Sequence, residues 1–471
     1  MREIETLVIG GGISGLASAW HIAASGNPVE IWEAAGRAGG KIATENNAGY
    51  TTEQAASMVL NFRPEVSDFL QQSGLDSHKL LRTPTSRRYL IHQGVLQEMP
   101  MKFGGMLFSP LWTLRGKLRL ILEPFILSRA AENESVADFI RRRLGNEMLD
   151  KALSAYISGT LASDPEQADA LSVLPHLTAL ERRYGSLTTG AFVRRVLNRK
   201  RASVTEGFSF RGGMSTLVDE LSQQLGGCLK TEHRIVHIEP ATNGWCVTAR
   251  TPRGERSCHA RKLILSTPAS TAAKLLKAHN TTLSRLLDHI EYAPVSVVHL
   301  AYKKCDIDHQ TDGTGFLTPW REKLMLNGSM WMHSLFENRA PQGQVLLSNY
   351  LGGARHPQIA HWSEQQRIDL AHRELKGLLG IRGEPIWSKV NHHAQALPLY
   401  HGHYAQHQQA ISRALAASPG LYLQANYLGG VSVRDRILCA QQLATILGKN
   451  TAPESLSRSC FKLQTGRYKA V

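Results

Sequence analysis

The sequence predicts an α/β chain, α+β overall, and three observations predict it. Its 471 residues are 42% hydrophobic and 20% charged, which suits about three ordinary domains or two large ones and excludes global disorder. Near the N-terminus an apolar run, a glycine-rich turn and a helical pattern follow one another. Near the C-terminus a strand, a glycine-bearing loop and a helical pattern repeat that order.

Leu7–Ile9 reads as a buried parallel strand. Gly10, Gly12 and Gly15 follow in GxGxxG spacing, then a helix to Ala24 and a second strand from Val29 to Trp32, ending at Glu33. This order specifies a Rossmann-like dinucleotide-binding unit. Gly10 permits the tight turn, Gly12 lets backbone approach a pyrophosphate, and Gly15 lets the helix pack on the sheet. The helix, read from Leu16 to Ala24, offers the free N–H groups of its N-terminus to phosphate. Glu33 stands where a carboxylate accepts from ribose hydroxyls.

FAD and NAD both use this fingerprint, and the next stretch separates them. Gly36-Arg37-Ala38-Gly39-Gly40-Lys41 resembles the segment of the FAD-binding amine-oxidase and protoporphyrinogen-oxidase superfamily in which glycines pass close to the diphosphate and basic residues help neutralise it. The strand Gly420–Leu423, the loop Asn426–Val433 and the helix Asp435–Leu447 resemble that superfamily's closing FAD motif. The resemblance implies FAD, bound non-covalently, held by Gly10, Gly12, Ile13, Ser14, Gly15, Glu33, Arg37, Gly39, Gly40, Lys41, Ile235, Asn426, Val431 and Val433.

The middle of the chain narrows the family. Glu134–Gly145, Tyr156–Gly159 with Asp164–Glu166, Leu180–Ser186, Arg211–Leu217, Tyr292–Val297, Ser334–Pro341 and Leu351–Arg355 are similar, in order, to segments of porphyrinogen-type FAD oxidases. The resemblance covers about the first 445 residues. Read from the residues alone, Ser135 with Asp138 three positions on is a possible capping box, and the arginines after it are a solvated face.

Segments 1–75, 205–285 and 405–450 are expected to form the FAD-binding domain. Segment 76–204 is a helix-rich basic domain for substrate and membrane contact, 286–404 a mixed-sheet substrate domain, and 451–471 a polar tail. The formal charge is +15, but no long basic block points to nucleic acid. No run of about 20 apolar residues spans a bilayer, and Arg2, Glu3 and Glu5 do not open a signal peptide. Residues 101–131 mix large apolar side chains with Lys102, Arg115, Lys117, Arg119 and Arg129, as in segments that lie in a membrane interface; an ordinary helix pair is the alternative. Six cysteines without a CxxC pair favour a reducing compartment. The expected location is cytoplasmic with peripheral membrane association. His401, His403 and His407 have no neighbouring carboxylate, and no metal is expected.

A porphyrinogen carries propionates, so its pocket needs a fixed cation. The resemblance places Arg88 there, a guanidinium suited to a bidentate fork, with Thr314, Gly315, Leu317, Met330 and Tyr350 as further substrate positions. The chain departs from the family pattern at Thr314, where Phe is usual, and at Ala55, Ser163 and Ala425, where Gly is usual. Alanine at such a site is tolerated only where φ is negative and nothing clashes. The implied reaction is oxidation of protoporphyrinogen IX by hydride transfer to flavin, with dioxygen or another acceptor closing the cycle. Coproporphyrinogen III oxidation, another amine-oxidase or desaturase-type flavoenzyme, and an inactive porphyrin-binding paralogue are the alternatives. No residue presents itself as a general base, and the oligomeric state is not legible.

Overall fold

The computed structural model describes residues 2–84, 87–100, 105, 108–131, 133–197 and 206–448. The polar tail expected at 451–471 and Lys102 lie outside them.

Two seven-stranded sheets organise the chain. In the first, β1 (Arg2–Ile9) lies between β2 (Glu30–Trp32) and the long strand Gly254–Leu265, parallel to both. Strand Leu421–Leu423 pairs in parallel with the far end of Gly254–Leu265, while its near end turns antiparallel against Gly244–Thr251. The parallel strands are fully buried runs such as Leu7, Val8, Leu263 and Ile264, as expected where both faces are covered. Helix α1 (Ile13–Ala24) and the last helix, Val433–Gly448, share one core with Leu16, Ala17, Ile437, Ala440 and Leu443. Thus the first and last described helices pack side by side.

The second sheet runs, by neighbours, through Trp387–Pro398, Tyr292–Lys303, Gln344–Gly352, Leu326–Trp331, Gly313–Leu317, Arg87–His92 and Val95–Glu98. The Arg87–Glu98 hairpin falls inside the otherwise helix-rich segment 76–204. It joins this sheet because Tyr89 and Leu90 pair with Phe316 and Leu317, more than 200 positions away. The side-chain period of two divides the sheet. Tyr89, Ile91, Val298, Leu300, Phe316, Trp331 and Leu347 pack toward helix Glu364–Leu379. Arg88, Leu90, His299, Gly315, Leu317, Met330, Ser348 and Tyr350 lie on the opposite face.

Helices between Leu114 and Leu197 form a separate apolar core with Phe139, Ile140, Ala155 and Ile157. Ser135 caps helix Val136–Arg143 by accepting from the Asp138 N–H at 3.0 Å. The arginines that follow are not a solvated face. Arg142 pairs with Glu134 at 2.6 Å and with Glu181, and the wholly buried Arg143 pairs with Glu123.

Candidate active site

The cradle begins at the C-terminal ends of the parallel strands, where ligands of such sheets sit. Gly10 has φ +104°, a value that favours glycine. Its N–H donates to the Trp32 carbonyl at 2.9 Å. A Cβ on Gly15 would fall 1.9 Å from the Gly10 carbonyl oxygen, so helix and turn meet only because that Cβ is missing. A Cβ on Gly12 would meet no protein atom within 4 Å. Gly12 caps α1 without a side-chain hydrogen bond, leaving the first-turn N–H groups, those of Ile13 and Ser14 included, to a ligand.

The second glycine segment closes on this turn. The Gly39 N–H donates to the Gly11 carbonyl at 2.7 Å, and a Cβ on Gly40 would lie 3.3 Å from the Gly12 Cα. Arg37 folds back on its own loop, donating to the carbonyls of Ala38, Gly40 and Ile42 at 3.0, 2.8 and 3.2 Å. The Lys41 ammonium donates to the carbonyls of Gln395 and, at 2.7 Å, Ala396, above the Tyr292 ring. Burial pulls it down to about 8. The two basic side chains are therefore engaged with backbone carbonyls, and Lys41 ties the glycine segment to the second sheet.

Glu33 accepts the Gly11 N–H at 2.6 Å on one oxygen and the Ala35 N–H at 2.8 Å on the other. Each oxygen keeps a lone pair for a ribose hydroxyl. The Glu33 carbonyl accepts the His233 N–H at 2.8 Å, which brings the strand holding Ile235 beside the same acid. At the far end, the Asn426 carbonyl accepts the Tyr400 hydroxyl at 2.8 Å, and Val431 precedes the buried Val433 at the start of the last helix. Cys439, on that helix, is buried and donates to the Gly429 carbonyl. Ser266 Oγ, Thr267 Oγ1 and Gln424 Nε2 are buried without a hydrogen-bond partner among the described residues, all at this strand edge. Orphaned polar atoms, a glycine cradle and free helix N–H groups together fit an FAD dinucleotide. Neither Ala55 nor Ala425 has positive φ, so alanine for glycine strains nothing there.

The expected substrate positions Gly315, Leu317, Met330 and Tyr350 gather on the face of the second sheet turned away from helix Glu364–Leu379. Gly315 pairs with Met330, Leu317 with Gly328, and Gly328 with Tyr350. The Tyr350 hydroxyl lies 3.4 Å from Met330 Sδ and 3.0 Å from Ser57 Oγ. Gly315 has φ +119°, at a register shift between Gly313 and Phe316 that falls opposite Arg88. A Cβ there would meet the Ser329 carbonyl at 1.9 Å. Thr314, in the same shift, turns its hydroxyl to the Arg87 carbonyl at 2.7 Å. Helix Ser154–Leu161 roofs the face, with Gly159 set directly over Leu317.

Arg88 is half-buried. Burial and the neighbouring Arg82 push its guanidinium down, Tyr156 opposes them, and among the described residues no carboxylate forms an ion pair with it. By contrast the buried Glu53 has partners: Thr44 Oγ1 at 2.7 Å, the Met214 N–H at 2.9 Å and Arg339 at 3.6 Å. Burial still raises it to about 7. Among the described residues no group of His, Cys, Asp and Glu is placed to hold a metal. His401 Nε2 instead meets Ser163 Oγ, and His407 Nε2 the Leu286 carbonyl. Sequence reasoning missed the Glu53–Arg339 pair, Ser57 and His299, because their partners are distant in the chain, and His393, which reads as a surface residue, instead meets the Gln54 carbonyl.

A family model described as flavin containing amine oxidoreductase matches residues 13–435. The chain is similar to the chloroplastic protoporphyrinogen oxidase of Nicotiana tabacum, 30% identical over 94% of this chain and 85% of that protein. It is 28% identical to the mitochondrial protoporphyrinogen oxidase of the same plant, over 90% and 91%. It is 27% identical to coproporphyrinogen III oxidase of Bacillus subtilis, over 92% and 95%. Among solved structures, a protein of Exiguobacterium sp. 255-15 provisionally named a protoporphyrinogen oxidase shares the fold with TM-score 0.79, at 19% identity over 96% and 99% of the two chains. A putrescine oxidase shares it with TM-score 0.71, at 14% identity over 96% and 100%.

Proposed function

The chain belongs to the flavin-containing amine oxidoreductases and is an FAD-dependent oxidoreductase; from that premise we propose that it oxidises a porphyrinogen, protoporphyrinogen IX to protoporphyrin IX. Bound FAD supplies the two-electron redox chemistry, with dioxygen as the terminal acceptor, repeated until the macrocycle is conjugated. This chain's residues bind and orient. The glycine cradle and α1 hold the diphosphate, Glu33 the ribose, and the apolar face at Gly315, Leu317 and Met330 receives the macrocycle. Arg88 carries the assignment. A half-buried guanidinium without an acidic partner among the described residues, on an apolar face, supports recognition of a carboxylate on a greasy ligand.

The test is the appearance of a Soret band when the purified protein meets protoporphyrinogen IX or coproporphyrinogen III. The Bacillus relative makes coproporphyrinogen III the second reading, and a clear preference for it would displace the first. No turnover of either would reject both. Arg88→Ala is expected to lower kcat/KM by roughly tenfold to a hundredfold, since a hydrogen bond to a charged group is worth about 1.5–3 kcal/mol. Most of this should appear in KM, with FAD content unchanged. Arg88→Lys should rescue only in part, because an ammonium lacks the planar fork. Wild-type kinetics for Arg88→Ala would remove the clamp.

The proposed location is cytoplasmic with the protein held at a membrane surface. Among the described residues no helix is long and apolar enough to cross a membrane. Leu114, Leu118 and Ile121 share an exposed helix face, continued by Leu122, Phe125 at 77% exposure and Leu127 at 92%, with Arg115 and Arg129 exposed beside them. Such a surface supports interfacial binding. Anionic vesicles should retain the protein and release it as salt rises, each nearby Lys or Arg adding about 1 kcal/mol. Leu118→Glu with Phe125→Glu should abolish retention. Equal binding to neutral vesicles at every salt level would reject the electrostatic part, and no binding the whole.

A further inference from the structure

Three side chains of the second sheet reach one short segment beside the cradle. His299 Nε2 lies 3.1 Å from the Glu53 carbonyl oxygen, and His299 Nδ1 lies 2.8 Å from Ser348 Oγ, its cross-strand partner. His393 Nε2 lies 2.8 Å from the Gln54 carbonyl. Tyr350 meets Ser57, as described. A carbonyl only accepts, so both histidines donate through Nε2–H, and His299 Nδ1 then accepts from the Ser348 hydroxyl. His299 is completely buried, and burial pulls it down to about 4, so it is neutral at ordinary pH. The charged groups acting on it, Glu45 and Lys389, are ion-paired at 3.1 Å and oppose one another.

The segment they hold leaves the strand Tyr50–Glu53, whose Glu53 carboxyl is anchored to Thr44 and Met214 beside the first sheet. It is thus fixed on one side by the cradle's own unit and on the other by the substrate face. A fully buried imidazole that crosses this junction through Nε2 and is held on its own sheet by Ser348 through Nδ1 fixes a distance. Leucine would fill the same space and leave both partners unmet.

We infer that His299, backed by Ser348, is a positioning residue that sets the spacing between the FAD cradle and the substrate face carrying Arg88, Gly315 and Tyr350. This rests on reading that face as the substrate side. His299 moves no proton in the reaction.

The test uses the holoenzyme. His299→Leu should lower kcat with KM near the wild-type value, weaken FAD binding by about tenfold, the upper range for one net hydrogen bond, and shift the flavin absorption bands. His299→Gln should restore all three, because an amide can donate to the Glu53 carbonyl and accept from Ser348. Ser348→Ala should shift the bands in the same direction by less, and it decides the matter if His299→Leu does not fold. The pH profile of kcat in His299→Gln should keep every wild-type limb; a lost limb would mean acid–base catalysis and overturn positioning. Wild-type spectra and FAD affinity in both His299→Leu and Ser348→Ala would overturn it too, as would a Gln variant no better than Leu. A wild-type protein inactive toward porphyrinogens would instead sink the proposed substrate, leaving spectrum and FAD affinity to judge His299.

Discussion

Gly15→Ala produces a protein that no longer retains FAD. The added Cβ would stand 1.9 Å from the Gly10 carbonyl oxygen and 3.3 Å from Val8 Cγ1. Gly10 cannot retreat freely, because its N–H is bonded to Trp32. Either α1 lifts from the sheet or the turn opens, and both withdraw the first-turn N–H groups from the diphosphate. Overpacking of this kind costs about 3 kcal/mol, so FAD affinity should fall by more than about a hundredfold. Gly12→Ala separates binding from folding. Its Cβ meets no protein atom, so the apoprotein should melt at the wild-type temperature while FAD binding falls. Flavin absorbance per protein and apoprotein melting curves measure both effects. A flavin-loaded Gly15→Ala protein of normal stability would refute the cradle.

Removing the Glu123 charge loosens the helical layer. Glu123 and Arg143 are an ion pair with neither side chain exposed. Burial disfavours the Glu123 charge, but hydrogen bonds from Ser186 and Thr188 and from the N–H groups of Leu187 and Thr188 outweigh it and hold the carboxyl down to about 2. Glu123 thereby also caps helix Leu187–Leu197. Glu123→Gln leaves Arg143 buried without its main counter-charge, for an expected loss of about 3–5 kcal/mol. Glu123→Leu with Arg143→Met should not recover it, because the Leu187 and Thr188 N–H groups and the Ser186 hydroxyl still lose their acceptor. Because the folded value lies below the unfolded one, the carboxylate stabilises at neutral pH. That contribution should drain away as pH falls from about 4.3 toward 2. Hydrogen exchange in the helices after Glu123 reports it locally. Unchanged exchange in Glu123→Gln would refute the role.

How legible each feature was depends on how far its causes lie apart. The β1–α1–β2 turn is local, so glycine spacing, apolar runs and one acid fixed it within about 25 positions. The second sheet was only partly legible. Arg88 was found through a family pattern, but the strand bearing it pairs with Gly313–Leu317, and nothing around Arg88 names that partner. The arginines after Phe139 look like a solvated face because sequence shows their charge and not Glu123, Glu134 and Glu181, which neutralise them. His299 sits in an ordinary buried strand, and its partners Glu53 and Ser348 lie 246 and 49 positions away.

Strand Leu421–Leu423 and the last helix complete a cradle that β1 and α1 begin. On a ribosome adding about 5–20 residues per second, the two halves emerge roughly 20–80 s apart. During that interval the nascent chain bears an uncovered flank on Leu263–Leu265 and an α1 without its neighbour. The cradle is therefore whole only once residues 421–448 have left the ribosome. A nascent chain stalled short of residue 421 would be a poor ligand trap, its half-built cradle lacking the strand and helix that close it.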